Sequence, residues 1–308
     1  MITSILVFVL TYLISSNNLA LCIGYALSTK VLSMRKLIYI AISAYIIGIL
    51  LEGYKMSTSL LENFNYINHY TDIALITTIA IFIVSEIVRI PASLITLLYS
   101  GIFGVEYAIT GRHINIFAIT IIYWIFVSLM SMIISYLMYR LTVYLSKFNL
   151  FRSIVISRTL IIALLFLTSY SFSANNFGLL WRIENFDPIN LTFIILGFTL
   201  GTLVGSKKTL VKYAYGFYTL SPLASLAIYV SIFTAMELST QLSIPVGLTI
   251  IALSSTLGTE YAHKLRLASM KYVKYIIITY TLSIILGFAA SYLTSMLIIS
   301  EYSSISKG

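Results

Sequence analysis

Charge is scarce in this chain: only 9% of its residues are Asp, Glu, Lys or Arg, where a soluble domain carries about 25%. No stretch is long and polar enough to build a soluble domain, which excludes an aqueous globular enzyme or binding module. Cysteine is nearly absent. Cys22 stands alone, so no intrachain disulfide can form. The chain shows no P-loop, no nucleophile motif and no paired-carboxylate arrangement, and no metal-ligand spacing links His69, His113 and His263. Enzymatic chemistry is therefore not expected, and no cofactor is implied. A cleaved leader is not expected either. No Lys or Arg precedes the opening apolar run, which continues past an Asn pair.

What is there is apolar. Hydrophobic residues make up 59% of the chain, the mean hydropathy is +0.99, and runs of membrane-spanning length recur from end to end. The reading is an all-α polytopic membrane protein in a lipid bilayer. Full spans are expected near 2–27, 37–51, 114–138, 159–181, 189–204 and 276–299. Paired apolar arms are expected at 73–88 with 92–108, and at 223–236 with 246–262. The segment 141–151 reads as an amphipathic helix at the membrane interface. The net charge of +9 does not point to nucleic acid, because the basic residues sit in short loops between spans, where they set topology.

Two polar knots interrupt the apolar runs. Ser15-Ser16-Asn17-Asn18 lies inside the first span, and Ser173-Ala174-Asn175-Asn176 follows the run 160–167. Hydrocarbon offers such groups no hydrogen bonds, so they need a reason to be there. One reason is hydrogen bonding between helices. The other is a transporter site, where unwound backbone and amide side chains line a cavity near the midplane.

The chain also repeats itself. Aligning Pro91 with Pro245 pairs IPASLITLLYSGIFGVEYA with IPVGLTIIALSSTLGTEYA, identical at eight of nineteen positions. The Asn knots fall into register with a gap of four residues. Two repeats of about 150 residues follow, at 1–154 and 155–308. Lys and Arg cluster at 30–36, 140–158, 207–212 and 264–274. The positive-inside rule puts those loops in the cytoplasm and both termini outside. The second repeat is then inverted relative to the first. Each arm pair either crosses fully or forms a re-entrant hairpin with Pro91 or Pro245 at its tip, the hairpin being favoured because the arm 73–88 is shorter than the roughly 20 residues of a full span; about ten membrane-embedded segments follow.

At this point the residues resemble the PiT inorganic phosphate transporter family. That family carries G-[AS]-N-D-x-x-N in each inverted half; the matching stretches begin at Ser15 and at Ser173. Its P-V-S-T-T-H hairpin tip corresponds to Pro91 to Thr96 and Pro245 to Ile250, where only the hydroxyls of Ser93 and Thr96 on one side and Thr249 on the other remain. The glycines at 197, 201 and 205, followed by Lys207, Lys208 and Leu220-Ser221-Pro222, look like the family's glycine span and L-T-P link. The resemblance implies a secondary transporter moving inorganic phosphate, or a similar small anion, across the cell membrane by alternating access. Na⁺ or H⁺ would be the coupling ion, and a homodimer is compatible. The departures are specific. Asn18 and Asn176 stand where the family has Asp, and Leu21 and Leu179 stand where it has Asn. The altered motifs leave open sulfate or another small solute, or a membrane sensor that does not transport.

The substrate-binding candidates are Ser16, Asn17, Asn18, Ser173, Asn175 and Asn176 in the knots, with Ser93, Thr96 and Thr249 near the tips. Amides supply both donors and acceptors, hydroxyls can donate to phosphate oxygens, and helix N-termini beside the breaks would add N–H donors. Glu106 and Glu260, each followed by Tyr-Ala, are candidate proton or cation sites. Glu86 and Arg89 read as a helix-surface pair, although Arg89 at a tip could attract an anion.

Overall fold

The computed structural model describes residues 2–57, 71–88, 92–112, 114–183, 185–205, 220–263 and 266–305. All regular structure among them is helical. In chain order the helices are α1 (Ile2–Ser28), α2 (Met34–Glu52), α3 (Thr71–Val88), α4 (Leu94–Thr110), α5 (Ile114–Ser146), α6 (Leu150–Phe172) and α7 (Gly178–Ile183). They continue as α8 (Pro188–Leu200), α9 (Pro222–Gln241), α10 (Leu248–Ala262) and α11 (Arg266–Ile305). A 3₁₀ turn, Gly53–Ser57, follows α2, and π-helical turns at Ser173–Phe177 and Gly201–Gly205 follow α6 and α8. The first hairpin tip, with Arg89 and Pro91, lies outside the described residues, as do His69 and His113.

Eight segments are long and apolar enough to cross a membrane. Helices α4 and α10 are not among them. Their 17 and 15 residues span about 25 and 22 Å, short of a hydrocarbon core of about 30 Å. They are instead the most enclosed elements. Every residue of α4 from Leu94 to Glu106 is buried, and so is every residue of α10 from Ile250 to Glu260. A helix that is buried all round belongs inside a bundle.

Their partners are reciprocal. Helix α4 packs on α11 and α10 packs on α5, while α1 packs on α8 and α2 on α6. Small residues permit the close approach that lipid-embedded helices need in place of a hydrophobic drive. A methyl group on Gly104 would stand 3.1 Å from the Phe288 carbonyl carbon, and one on Gly258 would stand 3.0 Å from that of Met132. Serines line the seams of α5 with α9 and α10. The Ser231 hydroxyl donates to the Ser131 carbonyl at 2.5 Å, and the Ser135 hydroxyl donates to the Ser255 carbonyl at 2.6 Å.

Three expectations change. No separate interfacial helix occupies 141–151. Instead α5 continues to Ser146 and α6 starts at Leu150, because the Asn149 side chain caps it by accepting from the Arg152 N–H at 2.9 Å. The arm expected to stop at Met236 runs to Gln241. Its polar end is satisfied by a network. Gln241 Nε2 donates to Glu237 Oε1 at 2.6 Å, the Ser171 hydroxyl donates to Glu237 Oε2 at 2.5 Å, and Lys55 Nζ bridges Glu52 at 2.7 Å and Gln241 at 3.1 Å. Finally, neither Asn knot is unwound. The first remains α-helical within α1, and the second widens into a π-helical turn. Both keep their main-chain bonds helical, so the polar side chains and not bare backbone are what they offer.

Candidate functional site

The second hairpin turns between α9 and α10 through residues 242–247, and Ser243 takes a left-handed φ of 57° to make the turn. Its tip is held from three sides. Asn175 Nδ2 donates to the Ile244 carbonyl at 3.0 Å, and the Val246 N–H donates to Asn175 Oδ1 at 3.0 Å. Trp124 Nε1 donates to the Pro245 carbonyl at 2.8 Å. The Ser243 hydroxyl donates to the Lys55 carbonyl at 2.5 Å. The two faces of the Asn175 amide thus match one acceptor and one donor on either side of Pro245.

The two short helices begin face to face. Ser93 is the N-cap of α4 and Gly247 the N-cap of α10, both extended, with φ of −99° and −72°. A methyl group on Gly247 would lie 3.2 Å from Thr96 Oγ1 and 3.5 Å from Ser93 Cβ. Glycine at this position lets the two N-termini touch. Each helix start leaves backbone N–H groups without an intrahelical acceptor and carries the positive end of a dipole.

Neutral polar side chains surround this junction. The Thr96 hydroxyl donates to Ser93 Oγ at 2.9 Å, and the Ser93 N–H donates to Ser283 Oγ of α11 at 2.8 Å. The Ser93 side chain does not cap its own helix, so its hydroxyl proton is not spent there. From α1, Asn18 reaches the start of α10: the Thr249 hydroxyl donates to Asn18 Oδ1 at 3.1 Å. The structure therefore gathers Ser93 and Thr96 beside Gly247, and pairs Asn18 with Thr249 two residues further along the same helix.

The other candidates are placed elsewhere. Ser16 donates to the Leu13 carbonyl at 3.0 Å and meets Gly205 across the helix interface, and Ser15 donates to the Phe198 carbonyl at 2.9 Å. Ser173 donates to the Tyr45 carbonyl at 2.7 Å. Ser16 and Ser173 thus donate to protein carbonyls, and Asn175 serves the tip backbone. Asn17 is half-buried on α1. Asn176 is fully buried; its Nδ2 donates to the Phe172 carbonyl at 3.3 Å, and its Oδ1 has no partner among the described residues. Glu106 and Glu260 each lie thirteen residues beyond their helix cap, about 20 Å along the helix. They are buried but are not part of the junction. Glu86 is exposed, at the end of α3. Among the described residues no group of three His, Cys, Asp or Glu side chains could hold a metal.

Sequence reasoning missed Trp124, Ser283 and Gly247. A buried Trp needs a partner for its indole N–H, which is the one signal that could have drawn attention to Trp124. Nothing in the sequence marks Ser283. Gly247 departs from the family tip, and only the facing Ser93 shows why a residue without a side chain fits there.

Taken together, these helices form a polytopic membrane protein of transporter fold. No family model matches the chain, and no curated protein matches it. Among solved structures it is similar to one described as "The sodium-dependent phosphate transporter", with a TM-score of 0.80 and 15% sequence identity, covering 96% of this chain and 98% of that one. The likeness to PiT transporters read from the motifs thus extends to the fold of nearly the whole chain.

Proposed function

We propose that this protein is a secondary transporter of inorganic phosphate in the cell membrane, and that Ser93, Thr96, Thr249 and Asn18 form its substrate site at the meeting of α4 and α10. The observation that carries the reading is the apposition of the Ser93 and Gly247 caps. Two helix N-termini aimed at one place, with hydroxyls beside them, make an anion site. The fold's similarity to a sodium-dependent phosphate transporter supports the same substrate class. The chain divides into inverted repeats at 1–154 and 155–308, with both termini outside. The reciprocal packing of α4 on α11 and α10 on α5 supports that division, and alternating access follows if the two repeats rock about the junction. A second reading, a shifted anion such as sulfate, has one observation in its favour: both motif acids are amides, Asn18 and Asn176.

Uptake of radiolabelled phosphate into proteoliposomes, with Na⁺ and pH varied independently and sulfate added as competitor, tests both. Saturable phosphate uptake that sulfate does not inhibit supports the proposal. Sulfate flux without phosphate flux selects the second reading. Phosphate binding without flux identifies a sensor and overturns the transport reading.

A further inference from the structure

A cavity of about 720 Å³ lies between α5, α10 and α11, and the junction residues Ser93, Thr96, Asn18 and Thr249 are not among its lining. Aliphatic side chains line it, among them Ile125 and Leu129 of α5, Leu257 of α10 and Ile277 of α11. Three of these are about half exposed, Ile125 at 54%, Leu129 at 51% and Ile277 at 58%, so the cavity is a groove open to the side. Along α5 its lining runs from Ile121 to Met132, about 16 Å of helix, close to the hydrocarbon depth of one leaflet.

The two ends of the groove differ. Beyond Ile121 and Ile284 the neighbouring side chains are Phe117 and Phe288, which stack with ring centroids 5.4 Å apart. At the other end all three helices turn basic. One and two turns past Met132 on α5 come Tyr136 and Arg140, the Arg140 guanidinium donating to the Tyr136 hydroxyl at 3.0 Å. Past Tyr261 of α10 comes His263, whose ring contacts Tyr139. Beside Val273 of α11 stands Lys274. Arg140, His263 and Lys274 are exposed, and the sequence between the last two adds Lys264, Arg266 and Lys271. Glu260, one turn before Lys264, is the acid of this region and is buried.

A groove one leaflet deep, largely apolar along its length and cationic at one mouth, has the shape and charge of an anionic phospholipid. We infer that it holds one such lipid, with an acyl chain between α5 and α11 and its phosphate at Arg140 and Lys274. The lipid would lie against Leu257 on α10, the same helix whose first turn carries Thr249.

Native mass spectrometry of the purified protein in detergent, titrated with phosphatidylglycerol or phosphatidylcholine of matched chains, tests this. One phosphatidylglycerol should be retained in preference to phosphatidylcholine. Each basic side chain near the surface should contribute about fivefold to that preference. Lys274→Ala should remove about fivefold, and Arg140→Ala with Lys274→Ala most of the rest. Both positions are exposed, and unchanged thermal unfolding in detergent without added lipid will show that the variants are folded. Leu257→Trp, which fills the groove, should reduce retention of both lipids. Equal retention of the two lipids overturns the inference. So does a preference unaffected by the Ala variants, or a dimer seen in place of bound lipid, which would make a second copy the occupant.

Discussion

Asn175→Leu separates two roles for the same residue. The substitution keeps the side chain's approximate volume and suits a helix in lipid, so packing around the π-helical turn should persist. What it removes is the strap on the second hairpin tip. The Ile244 carbonyl loses a donor at 3.0 Å and the Val246 N–H loses an acceptor at 3.0 Å. Val246 is buried, Asn175 is fully buried, and the Pro245 carbonyl beside them is held by a separate bond from Trp124. Each buried group left unsatisfied costs ~1–3 kcal/mol, so the two together give ~2–6 kcal/mol of destabilisation. The loss should fall mainly on the tip, because the amide's other contact, from Nδ2 to Met56 Sδ at 3.9 Å in the 3₁₀ turn, is a weak one to a thioether. The assay is reversible unfolding in mixed micelles alongside phosphate uptake at matched reconstitution. We expect lower stability and lost flux in Asn175→Leu, with Trp124→Phe showing a smaller loss of the same kind. Unchanged stability with abolished flux would refute the strap and return Asn175 to the substrate site. Unchanged stability with normal flux would remove it from both.

Three further outcomes are expected. Phosphate uptake should depend weakly on Na⁺, because Asn18 and Asn176 replace the family's carboxylates and an amide offers a hard cation one neutral oxygen; Asn18→Asp with Asn176→Asp should steepen the Na⁺ dependence, and saturable Na⁺ activation of the unmodified protein refutes this. Glu106→Gln and Glu260→Gln should leave the KM for phosphate within about twofold, since each carboxylate lies about 20 Å from the junction; a large rise in KM would place them in the site. In a Cys22→Ser background, Lys147→Cys and Lys264→Cys should resist an impermeant thiol reagent applied outside; ready labelling overturns the inverted topology.

Hydropathy carries much of this architecture. The first span, expected at 2–27, is α1 at Ile2–Ser28, and the arm expected at 92–108 is α4 at Leu94–Thr110. Apolar length is a property of the chain alone, so it can be read there. Side-chain direction is not. Ser15 and Asn18 are neighbours in one motif, yet Ser15 faces α8 and Asn18 faces α10. Asn175 and Asn176 read as equivalent amides, and the π-helical turn sends one to the tip backbone and leaves the other's carbonyl without a partner among the described residues. Helix end-points also depend on partners. Glu237 is a charge just past the expected end of an apolar arm, and the helix runs on through it because Ser171 and Gln241 satisfy both of its oxygens. The tip contact between Gly247 and Ser93 joins residues 154 apart, and no local pattern announces it.

The neutrality of the junction has an energetic consequence. Asn18, Ser93, Thr96 and Thr249 carry no charge, so an anion bound among them travels with its own charge uncompensated by those side chains. With 100 mV negative inside, a monovalent anion entering alone works against about 2.3 kcal/mol, enough to hold its equilibrium level inside about fiftyfold below that outside. Left to itself, such a carrier would run as an exporter in a polarised cell. Accumulation inward would require positive charge to accompany each anion, and the current measured per anion moved would reveal how much.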